Sequence, residues 1–329
     1  MASEGGTTLS EVFGALSDNL EFAVNQLKEG QNKRTFPADF SLDTFWNNIG
    51  SLVKATSQEC TKLCLAFSKP PVPSAEDSQP LVERIEKVTL ALVSAYYGFP
   101  PSCGTTLQSI IRRNVVSIIK GAQNLVIAMK SSNFNGSPEQ LQSTGNLWEC
   151  CDHFPSLPKD NKSAVLGIGK DAENLIKDAL EEIESEHKQF LECNENELSD
   201  DDATFWTSEE SKIVSSAIGL IKTSRVLAKK VCLAIQQHGD SNSEQSNSQL
   251  DNLAEKLESL SPAVDDFVLT LYPPVNRENV LAQGEELTVL LTSILHISRN
   301  SHITLEGDQE WVEFIEKAIV HNKTKLEAT

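Results

Sequence analysis

Aromatic and basic residues are the scarce commodities of this chain. Only 3 Tyr, 4 Trp and 13 Phe occur in 329 residues, while Leu, Ala, Glu and Lys recur at helical spacing, so no segment reads as a strand of any length. Cations are outnumbered, 28 Lys plus Arg against 47 Asp plus Glu, for a net charge of -19. Of the adjacent basic pairs, Arg112-Arg113 and Lys229-Lys230 fall inside helical patterns. Nucleic-acid affinity comes largely from Lys and Arg displacing counterions, so direct DNA or RNA binding is not expected. Met1 to Leu9 lacks both the basic start and the apolar run of a secretory leader. The long uncharged stretch from Val88 to Ile111 is interrupted by Gly98, Pro100, Pro101 and Gly104, as a turn between two helices would be, and no membrane association is expected. Seven cysteines, an odd number in a long chain, fit a reducing compartment with free thiols.

Catalytic constellations are missing as well. The six histidines stand singly, and none has a second His, Cys or acid at the spacing of a zinc helix or finger. Cys60 and Cys64 stand four apart, but Cys60 continues an apolar stripe and nothing completes a metal site, so they read as packed thiols. Cys150-Cys151 beside Asp152-His153 imitates a nucleophile with a base, but neighbours on a helix point in different directions. His187 continues a helical stripe toward Phe190 and reads as a hydrogen-bonded core residue. Neither a phosphate-binding loop nor a dinucleotide fingerprint follows a strand. The expectation is a protein that is not an enzyme, holds no cofactor and acts by binding other proteins.

What is abundant is helical periodicity. Leu107, Ile111, Val115, Ile118, Ala122, Leu125 and Met129 form one stripe, and similar stripes run from Leu42 to Phe67, from Leu81 to Phe99 and, more weakly, from Val12 to Leu27. Such stripes need partner helices to cover them. These segments, with a short one around Trp148, predict an N-terminal helical bundle over residues 1–159. Residues 160–195 read as one long helix that ends the first domain or bridges to the second, with Ala164, Ile168, Ala172, Leu175, Ala179 and Ile183 inside. An acidic loop follows at 196–210, and a C-terminal bundle at 211–329. Within the latter, Ser261-Pro262 is expected to start a new helix after the leucines at 250, 253, 257 and 260. The charge divides with the domains: residues 1–159 carry 13 cations against 15 anions, residues 160–329 carry 15 against 32.

Several features suit protein contacts. Pro70 and Pro73 give the spacing of an SH3-type ligand, or else a stiff linker. Ser199, before Asp200-Asp201-Asp202, suits an acid-directed kinase, whose phosphate would add further negative charge to the loop. Phe205 and Trp206 at the loop edge, and Tyr272 before Pro273, are the candidate exposed aromatic contacts, or else each closes over its own bundle.

Tyr96-Tyr97, Trp148 through Pro155, Pro158 through Lys162, Phe205-Trp206-Thr207-Ser208-Glu209, Ser261 through Asp266 and Leu271-Tyr272-Pro273-Pro274 occur in an order that resembles the cyclin-D-binding protein family, also called Grap-and-cyclin-D-interacting proteins. The resemblance runs from about Phe45 to Trp311. It implies an all-α protein of two antiparallel helical bundles of four to five helices each, similar to those of talin, vinculin and α-catenin. It further implies a negative regulator of the cell cycle that binds a D-type cyclin and restrains its kinase toward the retinoblastoma protein. Grb-type adaptors and helix-loop-helix transcription factors are implied as further partners, in nucleus and cytoplasm. An alternative of another class is a scaffold or adaptor like the cytoskeletal linker bundles.

Overall fold

The computed structural model describes residues 8–29, 40–194 and 206–329. Among the described residues the chain is all-helical, with α-helices and three short 3-10 turns and no strand. Contacts divide it into two compact units, Met1–Pro101 with Leu107–Lys159, and Ser102–Thr106 with Asp160–Thr329.

The first unit is built from α1 (Leu9–Glu29), α2 (Leu42–Ala66), α3 (Ala75–Tyr97), α4 (Thr105–Ser131, whose first turn belongs to the second unit) and α5 (Pro138–His153). Three of these begin at serine caps: Ser41, Ser74 and Ser137 accept the N–H of Thr44, Asp77 and Gln140, satisfying donors that a helix start leaves free. α3 packs on α1 and α2, and α5 on α2. The seven-residue stripe of α4 is wholly buried, and each of its large aliphatic side chains contributes about 1.5–3 kcal/mol by leaving water. Two aromatic clusters close the core. In one, Phe13 meets Phe67 and Phe134 edge-on at centroid distances of 5.3 and 4.8 Å. Phe134 has φ +61°, costly for a bulky side chain, and its burial between those two rings offsets the strain. In the other, Trp46 donates its indole N–H to the Lys159 carbonyl at 2.8 Å while the Lys159 ammonium lies 4.2 Å from the centre of its ring.

The second unit comprises α6 (Asn161–Asn194), α7 (Ser208–His238), α8 (Glu244–Glu258), α9 (Leu260–Leu269), α10 (Arg277–Arg299) and α11 (Gln309–Ala328). Its core draws Leu220, Leu227 and Val231 from α7, Leu257 from α8, Phe267 from α9 and Leu291 from α10. α10 is by length and composition apolar enough to cross a membrane, but its Val280, Leu287, Leu291 and Ile294 all lie in this core. A polar hub sits where α8 faces the start of α4. Asp251 accepts the backbone N–H of Thr105 and Thr106 and the side-chain amide of Asn161. Gly104, at φ +110°, makes the close approach possible, since a Cβ there would stand 2.0 Å from Asn161 Cγ.

Four expectations need correction. The long helix neither ends the first domain nor bridges the two: α6 lies within the second unit and packs against its α7, α8 and α9. Its buried stripe is Ala172, Ile176, Leu180 and Ile183, and Leu175, expected inside, is 53% exposed. Leu175 and Ile176 are adjacent apolar residues, so steps of three and of four from Ala172 both continue a helical pattern, and the position of α7 selects the second. The break before α9 falls at Ser259, which ends α8 and precedes α9, so Ser261 lies inside the new helix and is buried rather than capping it. Finally, Ser208, Glu209 and Glu210 of the expected loop form the first turn of α7.

Candidate protein-interaction site

The candidate aromatic contacts lead to one end of the second unit, where the C-terminal half of α6, the start of α7 and the segment after α9 converge. Of the two readings of Trp206, the exposed contact is the one the structure overturns: the side chain closes over its own unit, is buried, and its indole N–H donates to the Leu271 carbonyl at 2.6 Å. The rings of His187 and Phe190 meet it edge-on at 5.7 and 5.9 Å. An indole has a large apolar body and a single donor, so a free carbonyl beside an apolar wall satisfies it better than solvent does. Phe205 and the candidate phosphosite Ser199 lie outside the described residues.

Tyr272 follows Leu271 directly and is half-buried, with its hydroxyl 3.3 Å from Glu182 Oε1 on α6. Burial, then the charges of Glu186 and Glu182, push its pKa up to about 12, so the phenol stays protonated and donates to the carboxylate. The outer surface here is an aromatic edge set among carboxylates, a surface suited to Lys or Arg side chains.

Beneath it runs a hydrogen-bonded frame. Thr207 and Glu210 form a reciprocal capping box at the start of α7, the Thr207 N–H donating to Glu210 at 2.7 Å. The other Glu210 oxygen accepts the N–H of Val275 at 2.7 Å, so a single carboxylate holds both the first turn of α7 and the chain beyond Pro273-Pro274. Burial opposes its ionisation, but the N–H groups of Thr207 and Val275 and the Thr207 hydroxyl outweigh it and keep the carboxyl below the usual glutamate range. The Thr-Ser-Glu-Glu run at 207–210 carries the capping-box signature, a signal the acidic-loop reading passed over. His187 Nε2 lies 2.8 Å from Ser211 Oγ, and burial pulls its pKa below the ordinary value, as suits a neutral core histidine.

The other sequence candidates lie elsewhere. Pro70 is exposed and Pro73 half-buried in the α2–α3 connection, which delivers Ser74 to its cap. The Cys151 thiol, which imitates a nucleophile in sequence, is buried and pushed up to about 12 by that burial and by Cys150 and Asp152, the reverse of what a nucleophile needs. Cys60 is likewise buried and pushed up to about 12. Among the described residues no group of three or more His, Cys, Asp or Glu is placed to hold a metal ion.

Residues 48–189 match the family described as Grap2 and cyclin-D-interacting, N-terminal, and residues 192–296 match its C-terminal counterpart. A protein named Cyclin-D1-binding protein 1 homolog from Xenopus laevis is 35% identical over 318 residues, covering 94% of this chain and 96% of its own. The homolog from Danio rerio is 36% identical over 321 residues, covering 94% and 93%. Cyclin-D1-binding protein 1 of Homo sapiens is 26% identical over 332 residues, covering 94% and 91%. With both family models matched in order and its relatives matched nearly end to end, the chain belongs to the Grap2 and cyclin-D-interacting family.

Proposed function

We propose that this protein is an interaction regulator of the cell cycle, which binds a D-type cyclin and restrains the associated cyclin-dependent kinase toward the retinoblastoma protein. The observation that carries the reading is the kinship, along nearly the whole chain, with proteins named for binding cyclin D1. Helical units of this kind offer faces and grooves between helices, on which a partner's apolar side is buried while charges at the rim set its orientation. The anionic excess of residues 160–329, with the Tyr272, Glu182 and Glu186 surface as one part of it, favours a partner presenting basic groups. Grb-type adaptors and helix-loop-helix transcription factors are proposed as further partners, the latter sequestered by a chain poor in cations. The place of action is proposed to be both nucleus and cytoplasm.

Calorimetric titration of the full chain with a purified D-type cyclin, alone and bound to its kinase, tests the reading. Saturable binding, together with reduced phosphorylation of a retinoblastoma-protein substrate, is expected. No heat and no inhibition at micromolar concentrations would overturn it, and binding without inhibition would replace restraint by scaffolding.

A further inference from the structure

Along part of their length α1 and α3 leave a groove of about 220 Å³ in the surface of the first unit. Its floor is apolar and buried, formed by Leu20, Ala23 and Val93. Its lips are Phe22 from α1 and Leu90 from α3, each 64% exposed, so that two large apolar side chains face water on opposite sides of an apolar trough. Thr89 also lines the groove; it is only 2% exposed, and its hydroxyl has no hydrogen-bond partner among the described residues. An apolar trough with two uncovered lips is the mark of a surface completed by something else.

Charge says what. The ionised side chain that lines the groove is a carboxylate, Glu86, oriented by the Asn19 amide at 2.8 Å, and no Lys or Arg is among the lining residues. Of the exposed charged residues next to lining residues in the chain, Asp18 and Glu21, beside Asn19 and Phe22, are acidic, and Lys87, beside Glu86, is basic, so that with Glu86 the carboxylates outnumber the cation three to one. A rim in which carboxylates predominate, around an apolar trough between two helices, complements a helix with aliphatic residues one turn apart and cations on either side. We propose that this groove receives an amphipathic α-helix of a protein partner, its apolar stripe bordered by Lys or Arg. The inference rests on the reading of the chain as a protein-binding one and names a surface for it, whatever the partner.

The test uses the full chain and a fluorescent 18-residue helical peptide with Leu at one-turn spacing and Lys on both flanks, read by anisotropy. Phe22→Glu and Leu90→Glu alter side chains already exposed, so both variants are expected to keep the wild-type circular dichroism and melting curve. Saturable binding, at least tenfold weaker in each variant and weaker again when Glu replaces Lys in the peptide, supports the groove. The variants add negative charge, so general attraction of a cationic peptide to an acidic protein would strengthen their binding instead. Phe314→Glu, at an equally exposed phenylalanine of the second unit, is the control and should change nothing. Absence of saturable binding, or equal binding by wild type and both groove variants, overturns the inference. Running the same variants against a D-type cyclin separates the two proposals: peptide binding lost in the variants without any cyclin binding by wild type upholds the groove and removes the cyclin reading.

Discussion

Trp206 and Leu271 are joined by a hydrogen bond of 2.6 Å from indole N–H to carbonyl, which ties the approach to α7 to the segment that leaves α9. Phe190 and His187 seal the ring edge-on, so the bond is made inside the second unit, away from solvent.

Trp206→Phe keeps most of the ring but strands the Leu271 carbonyl, and should destabilise the second unit by about 1–3 kcal/mol. Trp206→Ala also opens a cavity and should cost about 3–5 kcal/mol. Urea denaturation followed by circular dichroism measures both; equal stability of the Phe variant and wild type would show the bond to be dispensable.

Asp251 should make the second unit acid-sensitive. It accepts the N–H of Thr105 at 2.8 Å, the N–H and hydroxyl of Thr106 at 3.0 and 2.7 Å, and the Asn161 amide at 2.9 Å. Burial opposes ionisation, but these bonds outweigh it and hold the carboxyl below the ordinary aspartate range. The folded chain therefore takes up this proton less readily than the unfolded chain. Its stabilisation is complete above the unfolded value of about 3.9 and is lost as pH falls through the lower folded value. Asp251→Asn should cost about 1.5–3 kcal/mol at neutral pH and flatten the decline of stability below about pH 4. Parallel pH profiles for variant and wild type would contradict this.

Cys60 and Cys151, pushed up to about 12, should resist alkylation in the native protein. At pH 8 their thiolate fraction is about a thousandfold below that of an unperturbed cysteine with pKa near 8.5. Iodoacetamide labelling followed by peptide mass spectrometry checks this, with rapid labelling expected only after denaturation.

Association with a cationic partner should weaken as salt rises. The anionic excess of residues 160–329 acts at a distance that the Debye length, about 10 Å at 0.1 M, cuts short. Stopped-flow association rates with a D-type cyclin at increasing salt should fall, with dissociation less affected. Rates independent of salt would remove steering from the account.

Where one face of a helix is continuously apolar, as from Leu107 to Met129, the stripe itself was legible, although the adjacent pairs Ile118-Ile119 and Leu125-Val126 put both of their members inside. In α6 the adjacent pair Leu175-Ile176 offers two stripes, and the choice depends on helices distant in sequence. His187 was legible as a core residue from its place after Ile183, although its partner Ser211 was not. The sequence left Trp206 between exposure and burial because its immediate surroundings are acidic, while the carbonyl that draws it inward belongs to Leu271, far along the chain. The α1–α3 groove was invisible for the same reason: the spacing of Phe22 and Leu90 says that each lies off its stripe, not that both edge one trough.

The allegiance of α6 bears on how deletion experiments are to be interpreted. The acidic segment after Asn194 invites a cut, yet a fragment ending there keeps α6 without α7, α8 and α9. Ile176, Leu180, Ile183 and Phe190 would then face water, forfeiting about 1.5–3 kcal/mol each and leaving an adhesive ridge. Partners captured by such a fragment would report an uncovered interior, and a site assigned to the first half on that basis would be an artefact of the scissors.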